Sequence, residues 1–145
     1  MYLGIDLGTS ALKVILIDED QNQLGKISIP FEVSRPQPLW SEQDPDLWWK
    51  ALIKAIQFLK TKKSFYDLKG IGLSGQMHGA VLMDKNGKIL RPAILWNDGR
   101  SGKECEELEE KEPDLKSITG NLAMPGFTAP KLLWTLKNEP EIFKQ

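Results

Sequence analysis

The chain has 145 residues, with 19 Lys and Arg against 20 Asp and Glu and a net charge of −1, a balance that calls for neither nucleic acid nor an anionic membrane as partner. One cysteine and one histidine exclude an internal disulfide and leave the usual zinc clusters unsupplied. With no basic-then-apolar leader and no apolar run of bilayer length, the expectation is a single domain in the reducing cytoplasm.

The first predicted strand, Tyr2-Leu3-Gly4-Ile5, lifts Asp6 to its tip, and Leu7-Gly8-Thr9-Ser10-Ala11-Leu12-Lys13 follows. That order suits a phosphate site. Gly8 permits close backbone approach or positive φ, and the N–H groups of Gly8, Thr9 and Ser10 form an anion-holding concavity. Asp6 can hold magnesium directly or through water, and Lys13 adds a point charge. An ordinary β-hairpin accounts for the same residues equally well, since Val14 to Ile17 continues as a buried strand. No Gly-Lys-Ser/Thr triplet opens a helix, so this is not a Walker loop.

Leu24 to Ile29 reads as a third strand stopped by Pro30, and the short turns imply an antiparallel start to the sheet. Ser34 to Gln43 is irregular. Asp44 and Pro45 then open a helix whose predicted buried face is Trp49, Leu52, Ile53, Ile56 and Leu59, with Trp48 or Trp49 in the core. Leu68 to Ser74 returns as a strand, and Gly75-Gln76-Met77-His78-Gly79 follows. An Asn-Gly turn at Asp84 to Gly87 joins extended segments at Ala80 to Met83 and Lys88 to Arg91. The apolar run Ala93 to Trp96 breaks at Asn97-Asp98-Gly99-Arg100 before a solvated acidic helix, about Ser101 to Glu112. Cys105, among glutamates, is expected to be a poor thiolate, a structural or incidental thiol rather than a nucleophile. A loop-rich stretch leads to a helix at Lys131 to Lys137, and the segment from Pro140 reaches no further strand, which reads as a truncated fold.

Five separated segments, Ile5 to Ser10, Leu39 to Pro45, Gly75 to Gly79, Ile94 to Arg100 and Met124 to Lys131, together resemble the amino-terminal part of the FGGY carbohydrate kinase family. The resemblance implies an α/β, ribonuclease H-like (actin-like ATPase) domain, with a mixed sheet opening in three antiparallel strands and flanked by helices. It implies ATP-dependent phosphorylation of a sugar, D-xylulose to D-xylulose 5-phosphate, with ATP and Mg2+ as cofactors. Residues 1–145 would be an incomplete amino-terminal domain, inactive alone, whose general base lies outside the chain. Its apolar surface left without a partner domain would favour self-association, a homodimer included.

Carried over by position, Asp6 would serve the metal, and Gly8, Thr9, Ser10 and Lys13 the phosphates of ATP. Met77 and His78 would contact the sugar, with Gln76, Trp96, Asp98 and Arg100 as further candidates. A neutral imidazole both donates to and accepts from hydroxyls, and methionine offers an adaptable apolar wall. Glycerol kinases carry arginine and glutamate at the corresponding place, which favours a ketopentose. Other readings stay open: His78 capping local backbone, Asp98 and Arg100 forming a surface ion pair, a ribulose or gluconate kinase, an actin-like ATP-binding module, or a non-catalytic sugar-binding domain.

Overall fold

Leucine, isoleucine and valine alternating with small or polar residues build the first three strands, β1 (Tyr2–Leu7), β2 (Ala11–Ile17) and β3 (Gln23–Pro30). The computed structural model describes the backbone of residues 1–145 and every side chain except those of residues 63 and 64. Its contacts divide the chain into two units, residues 1–33 with 46–76, and residues 34–45 with 77–145.

In the first unit helix α1 (Pro45–Leu59), followed by a 3-10 turn (Lys63–Asp67), leads to strand β5 (Gly70–Gly75). The sheet order is β3-β2-β1-β5, antiparallel except for the parallel pair β1 and β5. This is the expected mixed sheet with three antiparallel strands at its start. Strand alternation puts Leu3, Leu12, Val14 and Leu16 on one face, where they form a core with Ala51, Ala55 and Leu59 of α1.

The buried face of α1 differs from the predicted one. Trp49 is 64% exposed and Ile53 41% exposed, whereas Ala51 and Ala55 lie inside with Leu52 and Ile56 partly covered beside them. Alanine faces the sheet because a small side chain lets the helix axis approach it, and the bulkier residues flank the contact. Trp48 is half-buried. On β5, Ile71 and Leu73 remain 61% and 79% exposed.

The second unit contains two short strands, β4 (Glu42–Gln43) and β6 (Ala93–Ile94), paired antiparallel. It also holds helices α2 (Gly102–Lys111), α3 (Leu115–Thr119), α4 (Thr128–Asn138) and α5 (Pro140–Phe143). β4 falls in the stretch expected to be irregular, and α3 lies between the predicted acidic helix and the loop-rich stretch, where no element is predicted. The predicted hairpin is present as a turn, with the Asp84 carboxylate accepting from the N–H groups of Asn86 and Lys88, both at 2.8 Å. Its arms are not continuous strands: isolated bridges join Met83 to Ile89 and Ala80 to Ile94.

The interior of this unit is unusually polar. Ser41, Glu42, Gln43, Arg91, Asp98, Ser101, Glu104, Lys131 and Thr135 are all buried beside Ala80, Ala93, Ile94 and Leu95. The acidic helix is therefore not wholly solvated, since Glu104 is buried and paired with Lys137 at 3.4 Å. Cys105 is buried. Burial pushes its thiol up, and Glu109, Glu104 and Glu106 add to the effect, so it stays protonated while donating to Ser101 O.

Candidate functional site

The register of the first sheet sets Ser28, Lys13, Asp6 and Ser74 side by side in one row across four strands. An open groove of about 660 Å3 lies over this row, on the face opposite the core. Among the described residues neither Asp6 nor Lys13 forms an ion pair, so the carboxylate and the ammonium both face the groove without neutralising each other. Cross-strand alternation places them there, because every second residue of β1 and β2 points away from α1.

The turn between β1 and β2 adjoins this row. Gly8 does not carry positive φ; a Cβ there would stand 3.2 Å from Ala11 O, so close approach is what requires glycine. Its N–H is engaged by Ala11 O at 3.1 Å, so Gly8 contributes room rather than a donor. Ser10 O accepts from Phe31 N at 2.8 Å, tying the turn to the end of β3. The Thr9 hydroxyl donates to Gln76 Oε1 at 3.0 Å, and Gln76 N donates to Leu7 O at 2.8 Å. Gln76 thus braces the Gly-Thr-Ser turn, a place that its position in the sugar-type motif does not reveal.

The boundary between the units falls after Gln76, and the other candidates belong to the second unit. Met77 is 58% exposed and Trp96 44% exposed, and His78 is exposed as well. The bridge between Ala80 and Ile94 brings the chain entering from His78 beside the chain leaving toward Trp96. His78 adopts φ 58, left-handed and uncommon outside glycine, and its ring lies 4.6 Å from that of Phe127. A third loop closes in through Gly126, where a Cβ would meet Trp96 O at 2.3 Å. These contacts bring together the loops that carry Met77, His78, Trp96 and Phe127.

Asp98 and Arg100 sit beneath these loops rather than on the surface, which corrects the reading of a weak surface pair. Their side chains are 0% and 1% exposed. Asp98 accepts from Ser41 N at 2.6 Å, from Arg100 N and Nε at 2.9 Å each, and from Arg100 Nη2 at 2.8 Å. Arg100 also pairs with Glu42 at 2.7 Å, and Arg91 bridges Glu42 and Glu139. The guanidinium of Arg100 lies 3.6 Å from the centroid of Trp40 and 5.0 Å from that of Trp134. Arg100 Nη1 is a buried nitrogen without a hydrogen-bond partner, and the Trp40 π face compensates part of its lost hydration. Both residues tie together the segments around Ser41, Glu42 and Asp98.

Lys131 is a residue the sequence reading passed over. It is 0% exposed, and its ammonium donates to His78 O and Gly126 O at 2.7 Å each. Only its place inside a motif hinted at importance, because lysine is ordinarily read as surface. For a metal, no group of three or more His, Cys, Asp or Glu side chains occurs among the described residues. Asp6 alone in the groove fits a magnesium ion carried mainly by nucleotide phosphates and water, not one caged by protein.

The family model for the FGGY family of carbohydrate kinases, N-terminal domain, matches residues 1–145, and the chain belongs to that family. It is 56% identical to the xylulose kinase of Escherichia coli strain K12 over 145 residues, 100% of this chain and 30% of that protein. The xylulose kinase of Klebsiella pneumoniae is 54% identical over the same span, again 30% of its length. In structure, the xylulose kinase of Rhodospirillum rubrum superposes with a TM-score of 0.92 at 33% identity, over 98% of this chain and 30% of that one. The chain thus spans about 30% of the length of the curated relatives it matches. Its fold is the actin-like ATPase fold expected from the sequence.

Proposed function

We propose that this chain is the amino-terminal domain of an ATP-dependent xylulose kinase, which converts D-xylulose to D-xylulose 5-phosphate in the cytoplasm. The observation that carries the reading is the exposed His78 beside Met77 and Trp96, in a chain 56% identical throughout to a xylulose kinase. No helix among the described residues is long and apolar enough to cross a membrane.

Phosphoryl transfer is catalysed mainly by positioning and by neutralising charge. In this reading the Thr9 and Ser10 turn and Lys13 receive phosphate oxygens, with Gly8 giving the backbone room. Asp6 orients the cation, whose own contribution is to offset the charge of the ATP phosphates. Met77 and His78 hold the sugar, His78 by exchanging hydrogen bonds with hydroxyls and Met77 by covering carbon. The general base comes from the part of the relatives' length that this chain does not span.

In the full-length kinase, His78→Ala is expected to raise the Michaelis constant for xylulose by about tenfold, as for the loss of a hydrogen bond to bound substrate, with the ATP constant unchanged. Steady-state kinetics over a panel of xylulose, ribulose and gluconate checks this, and an unchanged xylulose constant removes His78 from the site. Asp6→Ala is expected to lower kcat by about a hundredfold through lost charge positioning, with little effect on the sugar constant. A magnesium titration of turnover tests it; normal kcat at limiting magnesium would rule out that role.

A further inference from the structure

We propose that Lys131 is a positioning residue of the sugar site, its buried ammonium holding the His78 main chain in the left-handed conformation that presents the imidazole. The proposal rests on the reading of His78 as a sugar contact. Four observations converge on it. His78 is a non-glycine residue at φ 58, a conformation that costs free energy and persists only where surrounding contacts impose it. Its carbonyl accepts from Lys131 Nζ at 2.7 Å, with the Thr128 hydroxyl at 3.5 Å. The same ammonium holds Gly126 O at 2.7 Å, so one cation ties together the loops that carry His78 and Phe127. Finally, Lys131 is wholly buried, and a lysine is retained in such a place only when its donors are used.

The other charged groups around α4 are committed elsewhere. Glu104 and Glu107 of α2 pair with Lys137, Glu139 pairs with Arg91, and Glu141 of α5 pairs with Lys144. Asp98 and Arg100, bound to each other, are the charges felt at Lys131, the first favouring its ammonium and the second opposing it. Burial dominates and pushes Lys131 down to about 8. Below that pH the clamp has charge-assisted hydrogen bonds; above it a neutral amine holds the same carbonyls more weakly. The grip on His78, and with it the affinity for sugar, therefore falls as pH rises through that value.

The test begins with the isotopically labelled chain, followed by NMR through the interval around pH 8. The Lys131 Cε and Nζ resonances and the His78 and Gly79 amides are expected to share one midpoint, while the His78 ring carbons report the imidazole's own protonation separately. Flat His78 and Gly79 amides through that interval overturn the proposal, and this measurement needs no variant. In Lys131→Met the shared step is expected to vanish; the same step in that variant also overturns it.

In the full-length kinase, Lys131→Met should raise the xylulose Michaelis constant about tenfold, with the ATP constant and kcat nearly unchanged. Lys131→Arg, permanently charged, should restore much of the affinity and flatten its dependence on pH. A loss confined to kcat, or equal for both substrates, contradicts a positioning role. His78→Ala tests the sugar contact itself, so its failure fells that reading while the amide titration still judges the clamp.

Discussion

Gly126→Ala is expected to destabilise the chain by about 3 kcal/mol, at the upper end of what overpacking a well-packed site costs. The added Cβ would stand 2.3 Å from Trp96 O, closer than any real contact of that kind. Such a clash is often relieved by rotating a side chain, but here the obstacle is main chain. Either the Trp96 peptide or the loop around Gly126 must move. Trp96 is anchored through the preceding Leu95, whose N–H donates to Ser41 O at 2.9 Å, while Gly126 O is held by the Lys131 ammonium. Moving either side loosens a buried hydrogen bond in addition to the steric cost. Positive φ plays no part, since Gly126 is not among the glycines in that region. Thermal or urea unfolding of the chain measures the loss, and a variant as stable as the parent would show that the two loops do not pack as described. Under the proposed function, in which these loops carry the sugar site, the full-length variant should also bind xylulose more weakly.

Much of the first unit is legible in its sequence because its physics is local. Apolar alternation defines β1 to β3, short polar turns force them antiparallel, and Pro45 marks the start of α1. The phase of α1 is harder to read. Ranking residues by apolar size selects Trp49 and Ile53, whereas packing distance selects Ala51 and Ala55, and no single helix pattern reveals how near the sheet stands. The second unit is held by groups far apart in sequence. Glu42 meets Arg91 and Arg100, Ser41 meets Asp98, and Lys131 meets His78. Charged residues read one at a time belong on the surface, so neither β4 nor the buried lysine is visible before the chain is folded. The candidate site divides the same way. The placement of Asp6 opposite Lys13 follows from hairpin register, while the setting of His78 depends on long-range contacts.

Asp98→Ala should be among the most damaging substitutions outside the apolar core, at about 3–5 kcal/mol, the usual cost of removing one partner from a buried ion pair. The carboxylate accepts from four donors, Ser41 N, Arg100 N and two guanidinium nitrogens of Arg100, and all of these lose an acceptor together. Arg100 keeps Glu42 as its remaining counter-charge, but Glu42 already serves Arg91, and Nη1 of Arg100 has no hydrogen-bond partner even in the intact cluster. Stacking on Trp40 cannot replace a carboxylate, because a desolvated cation–π contact, worth about 2 kcal/mol, supplies no acceptor for the N–H groups left behind. Asp98→Asn keeps the shape and one acceptor oxygen while removing the charge, so its loss should be smaller than that of alanine. The melting temperature should fall by about 10 °C for Asp98→Ala, given the scaling for a domain of this size. An exposed pair would give less than about 1 kcal/mol for either variant, so calorimetry on the two substitutions decides between a surface turn and the buried cluster that joins the segments around Ser41, Asp98 and Arg100.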